Sequence, residues 1–159
     1  MKKFTSQKQK TGLVGEVFAK TFLMKHGFSI IETNFSCRFG EIDIIAQKNE
    51  QIYFVEVKSV VLENFNQNKN SIESVSRGTS NNKRTVSRET FINQFRRIGN
   101  PFQNISYAKV RRLIKTAEIY LSYRKVPRET RWQVDGVGIY LNDDMSLNNI
   151  DHIQNITIP

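Results

Sequence analysis

Cysteine is almost absent from this 159-residue chain: Cys37 stands alone, so no internal disulfide can form. Histidine is nearly as scarce, and one cysteine with two histidines, His26 and His152, cannot build a zinc cage. No apolar run approaches the ~20 residues needed to cross a bilayer. The stretch Met1–Lys10 is polar and basic with no apolar run behind it, which argues against a secretory signal. Acidic side chains are in deficit, 15 Asp and Glu against 24 Lys and Arg. These absences lead to the expectation of a cytoplasmic protein, outside the membrane, in which any metal would be held by oxygen ligands.

What is present suits one folded domain spanning 1–159. The chain is about one domain long, and 38% of its residues are hydrophobic, enough for a single core. The net charge of +9 is unevenly spread. Residues 107–131 carry eight positive and two negative charges, whereas residues 132–159 carry four negative and none positive. A basic block beside an acidic tail points to a polyanion-facing surface, most often one for nucleic acid, or to a basic surface that serves solubility alone.

Apolar spacing predicts a helix over 11–26, with Leu13, Val14, Val17, Phe18, Phe22 and Met24 inward, Thr11 as N-cap and Gly27 as the stop. Three runs rich in Ile, Val, Phe and Tyr follow as strands at 28–35, 39–46 and 52–58. The second and third carry apolar residues on both faces (Ile42 and Ile44 opposite Ile45), as central strands covered by helices do. A second helix is predicted over 106–124, and two further strands at 132–141 and 150–158. Between them, 62–98 is Asn- and Ser-rich with scattered basic residues, a polar basic insertion or flexible loop, in which Phe91, Ile92, Phe95 and Ile98 share a helical face.

The chemistry concentrates in GEIDIIA at 40–46 and IYFVEVK at 52–58. The connection Lys48-Asn49-Glu50-Gln51 is too short for a crossover and predicts an antiparallel hairpin. Pairing Lys48 with Gln51 sets Asp43 opposite Glu56 and Glu41 opposite Lys58, with opposed Cβ atoms about 5 Å apart. Two carboxylates facing each other on an apolar hairpin repel and lose hydration. A divalent cation between Asp43 and Glu56 would remove both costs, and hard oxygen ligands suit Mg²⁺. Lys58 would then orient or deprotonate a water, or stabilise charge on a phosphate. The bland alternative is a pair of salt bridges from Lys58 to Glu41 and Glu56 at a solvent-facing strand end.

An acidic residue, a hairpin and then Glu-x-Lys is similar to the metal-binding core of the restriction-endonuclease-like nucleases, Holliday-junction resolvases included. The chain more closely resembles the YraN family of uncharacterised bacterial proteins within that superfamily. The likeness lies in GLVGEVFAKTFLMKHGFSIIETNF, GEIDIIA, FVEVKS, GNPFQNISYAKVRRLIKTAEIYL, VDGVGIYL and HIQNITI, and spans most of the chain outside about 62–98. The resemblance implies a three-layer α/β/α restriction-endonuclease-like domain with a mixed central sheet. It implies that Glu16, Asp43, Glu56 and Lys58 form the catalytic set, with Asp43, Glu56 and the Val57 carbonyl holding Mg²⁺ or Mn²⁺. By spacing alone Glu16 reads as an ion pair with Lys20. Where the family often carries Arg-Phe-Asp, this chain has Gln133-Val134-Asp135, so a basic contact is missing and Asp135 reads as a satisfied polar residue. The 62–98 segment exceeds the family's usual loop and is either a flap that grips DNA or an insertion without a role.

These readings converge on a metal-dependent endonuclease acting on DNA, branched or structured DNA among the candidates. Lys109, Arg111, Arg112 and Lys115 on the second helix would grip the phosphate backbone. The alternatives are a non-catalytic nucleic-acid-binding module that retains the fold, and an interaction subunit whose basic face docks an acidic partner. Resolvases of the superfamily work as dimers, so a homodimer is among the arrangements the resemblance allows. Phe4, Tyr107, Tyr120 and Tyr123 are read as core residues, Cys37 as a turn residue and His26 as helix-terminal.

Overall fold

The computed structural model describes residues 6–62, 101–102 and 105–156. The expected helical face at Phe91–Ile98, and all of 62–98 except Leu62, lie outside the described residues. A five-stranded mixed sheet in the order β1-β2-β3-β4-β5 is built from Ser29–Cys37, Gly40–Lys48, Gln51–Val61, Trp132–Leu141 and Leu147–Ile153. Every neighbouring pair is antiparallel except β3 and β4, which run parallel. Helix α1 (Gln7–Lys25) packs on one face and α2 (Tyr107–Tyr123) on the other, which makes the three-layer α/β arrangement. No helix among the described residues is long and apolar enough to cross a membrane.

Two cores follow from that layering. Ile44, Ala46, Val55, Val137, Ile139 and Leu141 pack under Ala19 and Leu23 of α1. On the other face, Ile42, Ile45, Ile52, Phe54 and Val134 pack against Leu113, Ala117 and Tyr120 of α2. The grouping corrects the simple alternation expected of β2, because Ile42 shares a face with Ile45 and not with Ile44. The break falls at Asp43. Across from it on β1, Asn34 lies between the paired Thr33 and Phe35 with a left-handed φ of 57°, an irregularity that accompanies the rotation of the strand.

The hairpin register matches the expected one from Lys48↔Gln51 to Ile44↔Val55. Asn49 and Glu50 both adopt positive φ, 48° and 60°, as a two-residue turn between twisted strands requires. The second helix starts where expected, at Ser106, whose Oγ accepts from the Lys109 amide at 3.2 Å. Tyr120 is core, but Tyr107 and Tyr123 are 60% and 70% exposed, because they fall at the two ends of α2 beyond the face that meets the sheet.

The first helix departs further from expectation. It begins at Ser6, which caps the Gln9 amide, whereas Thr11 lies inside the helix with its hydroxyl donating to the Gln7 carbonyl at 3.0 Å. The face against the sheet is Thr11, Gly15, Ala19 and Leu23, while Leu13, Val17 and Met24 are exposed. Small residues at i, i+4 and i+8 let the helix axis come close to β3, and closeness wins over the bulk of the neighbouring stripe. A Cβ on Gly15 would stand 1.6 Å from Ser59 Oγ and 2.8 Å from Ser59 Cβ.

That approach is testable. In an open helix, Gly→Ala is stabilising by about 1 kcal/mol. At this position Gly15→Ala should lower the unfolding free energy by about 1–3 kcal/mol, as overpacking does. Adding Ser59→Gly should return part of the loss in urea denaturation.

Candidate active site

The β2–β3 ladder ends at Ile44↔Val55, one step before the two acidic residues. Beyond it β3 continues along β4 as far as Val61↔Leu141, and β2 continues along β1 to Cys37↔Gly40. The strands therefore part at Asp43 and Glu56. In the opening, Asp43 Oδ2 accepts the Val57 amide N–H at 2.7 Å, so a side-chain carboxylate satisfies a backbone donor that a ladder carbonyl would otherwise take. Asp43 and Glu56 are thus brought together at the fork, not across a regular pair.

Glu56 is 6% exposed and lies on the α2 face, as its even-numbered neighbours Ile52 and Phe54 do. Its Oε1 pairs with Lys109 Nζ at 3.0 Å. Its Oε2 is buried and has no hydrogen-bond partner among the described residues. A half-satisfied buried carboxylate is costly, by roughly 1–3 kcal/mol or more for a charged group. Asp43 responds to the same crowding. Burial first, then the Glu56 charge, raise its pKa from 3.8 to about 7. The Val57 amide and the more distant Lys109 pull the other way, and Glu16 adds to the rise.

Glu16 reaches this neighbourhood from α1, in the opposite layer, and accepts a long contact of 3.5 Å from Asn34 Nδ2. The ion pair with Lys20 that the spacing allows is not among the salt bridges of the described residues. Lys58 makes neither of its two alternative salt bridges there. Its ammonium lies 5.8 Å from the centre of the Phe102 ring, beside the fork. Glu41 does not meet Lys58 as the extended register required, because it pairs with Ser36 of β1 on the far side of the opening.

Phe102 was not foreseen as a neighbour of this site. Pro101 and Phe102 lie over β4 at two glycines: a Cβ on Gly136 would come within 2.9 Å of the Phe102 ring, and one on Gly138 within 3.2 Å of Pro101. Gly136 and Gly138 are in register with Glu56 and Lys58, so the segment packs beside the forked end of β3. Asp135 is fully buried on the opposite face, bonded to Gln133 Nε2, His152 Nε2 and the Asn155 amide at 2.7, 2.8 and 2.8 Å. It is a satisfied structural residue, and Gln133 supplies a donor where the resemblance anticipated a basic one.

Of the four cations expected on α2, Lys109 faces inward to Glu56. Arg111, Arg112 and Lys115 are exposed, Arg111 over the Tyr107 ring and Lys115 paired with Glu118. A cleft of about 310 Å³ opens between the β1–β2 turn and α2, lined by Cys37, Phe39, Glu41, Lys109 and Arg112. Cys37, expected in a turn, is instead the last residue of β1, paired with Gly40 just before the turn, and its Sγ lies 4.0 Å from Thr116 Oγ1.

Among the described residues, no three His, Cys, Asp or Glu side chains are grouped as a metal cage. The donor set still fits a hard cation. One buried carboxylate oxygen is orphaned, and a second carboxyl beside it is driven toward its neutral form by burial first and then by like charge. Mg²⁺ is commonly held by one or two carboxylates, with water and phosphate completing its shell.

The raised Asp43 pKa has a defined sign. Between pH 4 and 7 the folded chain holds a proton there that the unfolded chain releases, so stability falls as pH rises through that window. The gap is worth at most about 4 kcal/mol, less whatever solvent screening remains. Asp43→Asn keeps an acceptor for the Val57 amide and removes the charge. In EDTA it should be more stable than the parent by on the order of 1–3 kcal/mol at pH 8 and equal to it near pH 4. Denaturant unfolding at both pH values measures this.

Comparison with known proteins places the same residues in a family context. The model of the uncharacterised protein family UPF0102 matches residues 15–139, a stretch that includes Glu16, Asp43, Glu56, Lys58 and Lys109. A UPF0102 protein of Caldanaerobacter subterraneus is 30% identical over 149 residues, covering 93% of this chain and 94% of its own. One from Campylobacter hominis is 34% identical over 149 residues, covering 94% and 95%. Another from Clostridium perfringens is 36% identical over 126 residues, covering 79% and 74%.

Proposed function

The chain belongs to the uncharacterised protein family UPF0102, the YraN family, and we propose that it is a divalent-metal-dependent endonuclease that hydrolyses phosphodiester bonds in DNA. The observation that carries this reading is the fork at Asp43 and Glu56, where a buried carboxylate oxygen has no partner among the described residues beside a second carboxyl. Such a pair is unfavourable for folding and is explained by a cation that both carboxylates bind.

In this reading Asp43 and the free Oε2 of Glu56 hold Mg²⁺ or Mn²⁺, with the Val57 carbonyl as a further ligand. The metal supplies positive charge against the scissile phosphate and acidifies a water. Asp43 is fixed for that role by the Val57 amide, which leaves its other oxygen free of that bond. Glu16, reaching the cluster from the opposite layer, orients water at its edge. Lys58, held off Glu56 and against the Phe102 ring, offers its ammonium to the attacking water or the phosphate. Arg111, Arg112 and Lys115 line the approach on α2 and bind backbone phosphates without reading bases.

One observation favours a second reading. The Glu56–Lys109 pair at 3.0 Å partly balances the site without any metal, as a non-catalytic nucleic-acid-binding module would require. Cleavage separates the two. Labelled single-stranded, duplex, flap and four-way-junction DNA is incubated with Mg²⁺, Mn²⁺ or EDTA and either the parent or Asp43→Ala. The nuclease reading expects metal-dependent cutting that falls by about 100-fold or more in the variant, as loss of a principal electrostatic group does. DNA binding of equal strength in both proteins with no cutting in either establishes the binding module instead.

The basic face has its own test. The triple substitution Arg111→Ala, Arg112→Ala and Lys115→Ala should weaken binding across DNA sequences alike. It should also reduce the slope of log K against log salt by about 2 to 3. Fluorescence anisotropy at several salt concentrations reads both quantities.

A further inference from the structure

Lys109 occupies a place that helix electrostatics disfavour. It lies in the first turn of α2, where the unpaired amides make the helix end positive and acidic side chains are preferred. No acidic residue is present in that turn. Its backbone is pinned by the Ser106 cap, through bonds from the Lys109 amide to Ser106 Oγ and to the Ser106 carbonyl. The side chain then crosses to the sheet and ends 3.0 Å from Glu56 Oε1. The ammonium-bearing side chain is 29% exposed and the carboxylate-bearing one 8%, so the pair sits at the boundary between the buried fork and open solvent.

We propose that Lys109 is a built-in counter-ion that occupies Glu56 until a divalent cation displaces it, and that its released ammonium then takes a phosphate in the adjacent cleft. The inference rests on the metal reading given above. Two features of the geometry carry it. Glu56 presents one paired and one orphaned oxygen, so the lysine satisfies only half of a carboxylate that a cation would satisfy fully. Lys109 also lines the 310 Å³ cleft together with Arg112, so a short rotation of its stem moves the charge from a carboxylate to a site with a second cation. An anion is the ligand that a Lys–Arg pair selects, and a phosphate of a nucleic-acid chain lying across the fork supplies it. Glu41, on the same cleft wall, disfavours simple retention of small anions when no chain is bound.

The arrangement makes metal and phosphate binding cooperative. Without metal, Lys109 is engaged by Glu56, and Arg112 is the one cation among the described residues of the cleft lining left to meet an anion. With metal bound, both cations face the cleft. Premature capture of nucleic acid by an unloaded site is thereby weakened, by linkage and not by a moving lid.

The test compares the parent with Lys109→Met, which keeps the length of the stem and deletes the charge, using Mn²⁺ alone as the titrant in calorimetry. Removing a competing counter-ion should tighten Mn²⁺ binding about tenfold, the value of one charged hydrogen bond. In case the unpaired Glu56 prevents the variant from folding, the parent itself is followed by NMR of its lysine ammonium groups. The Lys109 signal is assigned by its loss in Lys109→Arg. It should be protected in EDTA and should shift or broaden on Mg²⁺ addition while surface lysines do not respond. Mn²⁺ binding to the parent with equal or weaker binding to Lys109→Met, or a Lys109 signal unchanged at Mg²⁺ saturation, overturns the counter-ion role and leaves the nuclease reading standing. Absence of Mn²⁺ binding to both proteins overturns the metal reading and this inference together.

Discussion

The bond from the Val57 amide to the Asp43 carboxylate holds open a hairpin that would otherwise zip closed. Five residue pairs from the turn outward follow a regular antiparallel register, and the next would set two carboxylates face to face. Like charges directly opposed across strands are destabilising. By taking the Val57 N–H on a side chain, the chain keeps that backbone donor satisfied while β2 stays with β1 and β3 stays with β4, each on its other edge. The fork is therefore a polar opening between two strands that each keep their outer partner. The glycines that receive Pro101 and Phe102, and the Lys109 contact from α2 to Glu56, lie alongside it.

Electrostatics at that opening are unfavourable for the isolated fold. A buried carboxylate with one free oxygen, a neighbour pushed toward neutrality at about pH 7, and a lysine at the positive end of a helix would each be selected against by stability alone. Together they form a set whose charges are mutually compensating and incomplete. Departures from local rules that cluster at one place are the usual mark of a functional site. The contrast with Asp135 is instructive, because that equally buried carboxylate has three donors around it and holds the β5 end of the chain in place.

Much of the site was legible in the sequence because strand geometry is short-ranged. The two-residue turn sets the register, and the register brings Asp43 and Glu56 to the same place along the hairpin. The extrapolation failed one pair later, at Glu41 and Lys58, because register arithmetic assumes that two strands stay together. They part where the next pair would oppose Asp43 and Glu56, and the Val57 amide goes to the Asp43 carboxylate instead. The helix α1 was misread for a related reason. Periodicity ranks residues by hydrophobicity and put Leu13, Val17 and Met24 inward, whereas the sheet accepts the helix at the distance that Gly15 and Ala19 allow.

Motif resemblance along the chain pointed to the family, periodicity to the order and type of the elements, and the two-residue turn to the meeting of Asp43 and Glu56 along the hairpin. Motifs, periodicity and a two-residue turn are all carried by neighbours along the chain. The forking of the hairpin, the orphaned oxygen of Glu56, the place of Lys58 beside Phe102 and the inward turn of Lys109 came from packing between distant segments. Those features depend on contacts between residues tens of positions apart. Their energies are set by burial and by the distance between charges, and neither quantity exists until the layers have packed.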